Sequence, residues 1–392
     1  MTTSLPRDGE PLPHYVSSAP FDPYADDAVK NKKKAFGRSS QLELMFWKFR
    51  RHRLALLSAI ILLVAYVSII FVEFLAPYNL HTRNMDNIYA PPQRVRLFDE
   101  NWRFVGPFVY GHQMTLDMKT LRRAYTPNKN DIQPLRFFCR GDDYRWFGLV
   151  EGDVHLICPA KDGNLFLFGT DRLGRDVFSR IAYGARISLT IGLFGIITSF
   201  VLGIVIGGLA GYYGGVVDLI VQRIIEVLQS IPSIPLWLAL AAIMPADWNP
   251  IAIYLAITFI LAMLDWTGLA RAVRSKLLAL REEDYVLAAQ LMGAGHWRII
   301  GRHLIPGFMS HLIASATLTI PGMILGETTL SFLGLGLRPP ITSWGVLLAE
   351  ARTVNVLVLY PWLLIPVVPV IVVILAFNFL GDGLRDAADP YR

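Results

Sequence analysis

Six stretches of this chain contain no Asp, Glu, Lys or Arg: 54–72, 187–217, 227–246, 248–264, 303–326 and 353–381. A helix needs about 20 apolar residues to cross roughly 30 Å of hydrocarbon. Most of the six are long enough, and 248–264 reaches that length if it runs past Asp265. One such run can be the core helix of a soluble protein; six in one chain point to a bilayer. Lipid offers no partner for backbone polar groups, so each run is expected to be a helix. Charged residues make up 17% of the chain, against about 25% in an ordinary soluble domain.

The polar residues between the runs give the layout. Residues 1–40 are rich in Pro, Asp, Ser and Lys, the composition of a disordered cytoplasmic tail, and hold no apolar core of a signal peptide. The first run is therefore expected to serve as an uncleaved anchor. Just before it, Trp47 and Phe49 stand among Lys48, Arg50, Arg51 and Arg53. That mixture suits an interfacial helix in contact with lipid headgroups, and places the N-terminus inside. Alternation then puts 77–185 outside, 211–222 inside, the turn near Asp247 outside, 271–306 inside, 334–358 outside and the tail from Asp382 inside. The loop 271–306 carries Arg271, Arg274, Lys276, Arg281, Arg298 and Arg302, as an inside loop should. The expected organisation is a tail (1–40), an interfacial helix with the first span (41–80), an extracytoplasmic insertion (81–167), and a five-helix core (168–392) with a cytoplasmic loop at 275–306.

The insertion alternates apolar and polar residues at 94–98 and 164–168 and has Gly-Asp turns at 141–142 and 152–153, so a small β-rich domain is expected. Both cysteines, Cys139 and Cys158, lie in it. Two readings stand: a disulfide, favoured in an oxidising compartment, or two buried thiols.

The residues offer no chemistry of catalysis. None of the lysines follows a glycine, so no P-loop exists and any ATP must be bound by another chain. The eight histidines form no HExxH, and there is no Cys-x-x-Cys and no Gly-x-Ser-x-Gly. No catalytic, cofactor or metal site is expected, and the net charge of +6 is placed for a membrane rather than for nucleic acid. Glu226, Asp265 and Glu327 stand at the ends of apolar runs, where an ionisable group is a functional candidate. They keep a proton-coupled carrier open as a rival reading.

The loop between the fourth and fifth runs is the most informative. Residues 282–292 read as a short helix with acids in its first turn, ended by Gly293, and 295–304 as a second helix before Pro306. Tyr285, Ala288, Ala289 and Met292 share one face by spacing, with small residues that let another protein approach.

This loop resembles the EAA loop of ABC-importer permeases, with Ala288, Ala289, Gly293 and Leu304 to Pro306 at the family's spacing and Leu287 in place of the usual Glu. Further segments are similar to the C-type permeases of the dipeptide/oligopeptide/nickel group: GTDRLGRDVFSR at 169–180, YGARISL at 183–189, GYYGG at 211–215 with Asp218, LSFLGLG at 330–336 with Pro339, Pro340 and SWG at 343–345, and NFLGDGLRD at 378–386 before Asp389-Pro390. The resemblance covers nearly all of 41–80 and 168–392 and leaves 81–165 without a counterpart.

The resemblance implies an all-α polytopic inner-membrane protein with six spans of the type I importer kind, both termini cytoplasmic. It implies a heterodimer with a second permease, two ATPase subunits that hold ATP and Mg, and an extracytoplasmic solute-binding protein. Glu283, Asp284, Tyr285, Ala288, Ala289, Gly293 and Arg298 are the expected contacts to the ATPase; Asp171, Gly174, Arg175 and Trp344 are the expected extracytoplasmic gate. Gly203, Gly207, Gly208 and Gly211 are expected at a close-packed helix interface. Peptides are the expected substrate; nickel chelates, opines and sugars are the alternatives.

Overall fold

The computed structural model describes residues 41–118, 122–161, 163–245 and 247–388; the expected tail 1–40 and Asp389-Pro390 lie outside them. The chain opens with α1 (Gln41–Arg51), whose last turn is basic. His52 then caps α2 (Arg53–Ile70) by accepting from the Ala55 N–H. A one-turn helix, α3 (Val72–Leu75), leads into the insertion.

The insertion holds a three-stranded antiparallel sheet, β1 (Arg96–Phe98), β2 (Phe104–Asp117) and β3 (Arg122–Pro134), and a separate hairpin, β4 (Arg136–Trp146) with β5 (Val150–Cys158). Phe108, Val109 and Tyr110 on β2 are buried, as are His155 and Cys158 on β5. Gln93 donates to the Tyr110 carbonyl and accepts from the Phe166 N–H, fastening the insertion to the strand of chain that leaves it. Cys139 and Cys158 are joined across β4 and β5, Cα to Cα 6.3 Å.

The core follows as α4 (Val177–Tyr213), α5 (Gly215–Ser230), α6 (Ser233–Ala242), α7 (Pro250–Leu280), α8 (Asp284–Leu291), α9 (Met309–Phe332), α10 (Trp344–Glu350), α11 (Val354–Leu359) and α12 (Val367–Ala388). Five helical segments among the described residues are long and apolar enough to cross a membrane: Arg53–Ile70, Val177–Tyr213, Pro250–Leu280, His296–Phe332 and Pro361–Ala387. The pair α5 and α6 makes a sixth only as a bent unit, turned by 86°.

That bend corrects the expected straight span at 227–246. Pro232 lacks an N–H and forces the residue before it out of helical geometry. Ile231 is accordingly extended, at φ −93° and ψ 128°. The run 353–381 is also divided, by a 3₁₀ turn at Pro361–Leu364. The run 303–326 begins differently as well. Its entry is a ramp of helix at His296–Arg298, a π turn at Ile299–Leu304 and a 3₁₀ turn at Ile305–Phe308. Pro306 would clash with the carbonyl four residues back in a regular helix, and the wider turn relieves that.

Within the bundle α4 packs along α7, α9 against α12, and α12 against α2. The α4–α7 crossing is close because glycines form it: a Cβ on Gly207 would lie 2.3 Å from the Ala270 carbonyl oxygen. Gly203 and Gly211 face Leu269 and Arg274 of the same helix. This stripe therefore seats one helix of the chain on another, rather than lying free for a partner. Asp218 of α5 pairs with Arg274 of α7 beside it.

The bundle has two distinct ends. At one, Gly383 near the end of α12 faces Ala55 at the start of α2, and Tyr212 at the end of α4 bonds His296 at 2.9 Å. This is the hairpin end, with α8. At the other, the exit of α2 and the start of α4 carry the insertion.

Candidate functional site: an inner hairpin and a buried ion-pair knot

Two assemblies stand out, one at each end. At the hairpin end, α8 starts after Glu283, whose backbone is extended while its side chain makes no cap. Gly293, at φ +81°, donates its N–H to the Gln290 carbonyl, and Ala294 donates to Ala289, closing the helix. Val286 and Ala289 face inward, packed with Val273 and Leu277 of α7 and with Ile299 and Leu304 of the ramp.

Ala289 is thus 3% exposed, which takes it off the face expected from its spacing. The outward stripe consists of Tyr285, Ala288 and Met292, flanked by Leu287 and Leu291. Leu291 is 90% exposed and Met292 82% exposed. Glu283, Asp284 and Arg298 are exposed around it. The hairpin is therefore fixed from below by an apolar core and presents apolar side chains above.

At the insertion end, the loop before α4 folds around Asp171. Its carboxylate accepts the N–H groups of Leu173 and Arg175 at 2.7 and 3.0 Å, the Arg175 Nε at 2.7 Å and an Arg180 guanidinium N–H at 2.5 Å. Arg180, 2% exposed, also grips Glu350 of α10 with two bonds of 2.9 and 2.8 Å. Arg175 reaches the same Glu350 at 3.2 Å. Two guanidinium groups and two carboxylates thus form one knot between the start of α4 and the end of α10.

Gly174 sits at φ +71°, and a Cβ there would lie 1.9 Å from the Asn84 carbonyl oxygen. The loop must pass so close because Asn84 donates its backbone N–H to the Gly174 carbonyl at 3.0 Å. Trp344 is buried, its indole N–H on the Ile181 carbonyl and its backbone N–H on Ser188 Oγ, each 3.1 Å. Asp171, Gly174, Arg175 and Trp344 are thus brought to one region, but as braces. Beside them opens a cleft of about 380 Å³ lined in part by Tyr89, Arg172, Arg338, Glu350 and Arg352.

Asp176 caps α4 by accepting the N–H and hydroxyl of Ser179 at 2.8 and 2.7 Å. Its burial pushes the carboxyl pKa up to about 7.

The three membrane-edge carboxylates differ from one another. Glu327 is buried and accepts from Ser188, Ser331 and Ser343 at 3.1, 2.8 and 2.6 Å. It joins α4, α9 and the loop before α10. Glu226 is exposed and paired with Arg223. Asp265 lines a cavity of about 160 Å³ between α4, α7 and α9. Among the described residues no cluster of His, Cys, Asp and Glu is arranged to hold a metal.

Sequence reasoning passed over Arg180, Glu350 and the serines that bind Glu327. Glu350 had one signal: no other Asp or Glu occurs between Glu327 and Asp382.

Relatives place this geometry. A family model described as the inner membrane component of binding-protein-dependent transport systems matches residues 203–391. Another, the N-terminal TM domain of oligopeptide transport permease C, matches 40–92. The dipeptide transport system permease protein DppC of Bacillus subtilis is 43% identical over 224 residues, 57% of this chain and 68% of that one. The chain belongs to this permease family. The oligopeptide permease protein OppC of the same organism is 37% identical over 63% of this permease and 77% of its own length. The glutathione permease protein GsiD of Pectobacterium atrosepticum is 43% identical over 57% of this permease and 71% of its own length. A solved inward-facing MetNI methionine ABC transporter overlays 54% of this permease at 20% identity and a TM-score of 0.42, a loose likeness. The two family models leave 93–202 unmatched, a stretch that holds all five strands and also the ion-pair loop.

Proposed function

We propose that this permease is the transmembrane subunit of an ATP-driven peptide importer in a bacterial inner membrane. It forms half of the pathway and takes its motion from an ATPase seated on the α8 hairpin. The observation that carries the coupling assignment is the apolar face of Tyr285, Ala288, Leu291 and Met292, held on a buried underside. An exposed apolar face on a rigid support is what a docking helix offers a groove. The relatives named above are named for dipeptides, oligopeptides and glutathione, and all of these are peptides.

The partners in this proposal are a second permease, two ATPase subunits that hold ATP and Mg, and a solute-binding protein at the insertion end. The N-terminus, the hairpin and the C-terminus face the cytoplasm, in keeping with the basic last turn of α1 and the arginines of 271–306. ATP-driven closure would draw on α8, tilt α7, and open the pathway toward the binding protein, with Asp171, Gly174, Arg175 and Trp344 as the braced rim of the gate. Hydrolysis resets the pair.

The test is Ala288→Glu, which sets a charge on the exposed face without entering the core. Uptake of a labelled tripeptide by the assembled transporter should be lost while the chain stays in the membrane. Wild-type uptake by that variant would remove the coupling assignment.

A further inference from the structure

The hairpin of β4 and β5 ends in Trp146, Phe147, Gly148, Leu149 and Val150, five residues without a charge. The nearest charges along the chain, Arg145 and Glu151, are paired with each other at 2.8 Å. Phe147, Leu149 and Val150 are all exposed, Leu149 by 86%.

The position of this tip is fixed by its contacts. The Trp146 indole donates to the carbonyl of Ile70, the last residue of α2, at 2.7 Å, and stacks on Phe71. Phe147 lies under the Arg186 guanidinium at 4.6 Å, and Arg186 itself holds the Ile69 carbonyl. Residue 187 begins the charge-free run of α4.

Other parts of the hairpin touch the chain farther from the apolar band. Phe138 lies near Phe74, His155 holds the Ala76 carbonyl, and Asp142 holds the Asn79 N–H. The tip is therefore the part of this hairpin nearest the apolar band of α2. It continues the outward surface of α2, where Leu63, Val64, Val67 and Ile70 are exposed. Between Phe71, Phe74, Tyr144, Trp146 and Val150, with Glu151 and Gly152 at its edge, lies a mainly apolar cleft of about 250 Å³.

We infer that the β4–β5 tip is a phospholipid anchor, with Phe147, Leu149 and Val150 in the interfacial layer beside α2 and an acyl segment in the cleft. Aromatic and apolar side chains level with the ends of spanning helices are suited to that layer. The bilayer contact does not depend on which leaflet faces outward, nor on the coupling role of α8.

Leu149→Cys, and separately Val150→Cys, in the full chain with its co-purifying partners provide the probe. Each is labelled with a bimane under non-reducing conditions, which keep Cys139 and Cys158 joined, and set in nanodiscs of brominated phosphatidylcholine. Asp131→Cys, on β3, is the control. Emission from positions 149 and 150 should fall, more with bromine high on the acyl chain than near its end, while the control is unchanged. If bromolipid leaves both probes unquenched, the anchor is overturned. It is overturned equally whether iodide reaches the two probes, a binding protein shields them, or another subunit covers them.

Discussion

Arg180, buried among two carboxylates at the insertion end, and Leu291, exposed on α8 at the opposite end, mark two ways of holding a helix terminus. The first uses buried charge with nearly every donor matched, so the start of α4 and the end of α10 move together or not at all. The second uses an apolar underside alone, and leaves the upper face for another surface. One end is self-sufficient; the other leaves an apolar face uncovered. Stability should therefore respond to substitutions at the knot, and transport to substitutions on the hairpin.

The largest effect should come from Arg180→Ala. It removes the buried cation from Asp171 and Glu350 and leaves them Arg175 alone, at a cost of about 3–5 kcal/mol for a broken buried pair. The thermal midpoint of the solubilised chain measures it, and an unchanged midpoint would break the comparison.

The next effect is pH-dependent. From the ordinary aspartate range up to about 7, the folded chain holds a proton on Asp176 that the unfolded chain has lost. Stability should then fall as pH rises through that window, by on the order of a few kcal/mol, and level off above it. Asp176→Asn keeps a cap acceptor and should flatten that slope in unfolding measurements across pH.

Replacing Cys139 and Cys158 together by Ser opens a loop with a sequence separation of 19. It should cost about 3 kcal/mol, confined to the insertion and read by proteolysis there. The smallest structural effect belongs to Leu291→Ser, within about 0.5 kcal/mol as for other exposed positions. Peptide uptake should nevertheless drop, and equal uptake would place the docking face elsewhere.

The spans were legible because lipid imposes one requirement on every residue of a run. Even so, absence of charge hid the break at Ile231: Pro232 stood in plain view, but the run 227–246 continued through it. The inner stripe of α8 was misplaced for another reason. In an eight-residue helix, Val286 with Ala289 and Tyr285 with Ala288 are equally good stripes, and only the packing of α7 decides which faces in. The knot was legible by half. Asp171 and Arg175 lie four residues apart, so their pairing is local. Glu350 is 170 residues from Arg180, and nothing in either neighbourhood names the other. Glu327 was noticed as a carboxylate; Ser331 lies four residues on in the same helix, but Ser188 and Ser343 come from separate elements that only the fold brings to it.

The glycine contact between α4 and α7 has a mechanical consequence. Gly207 stands 30 residues from the start of α4 and six from its end. If α4 tilts as a rod about that point, its far tip sweeps an arc about five times that of its near tip. A small stroke delivered beside Tyr212 becomes a large excursion at Arg180, geared up by nothing more than where the fulcrum sits.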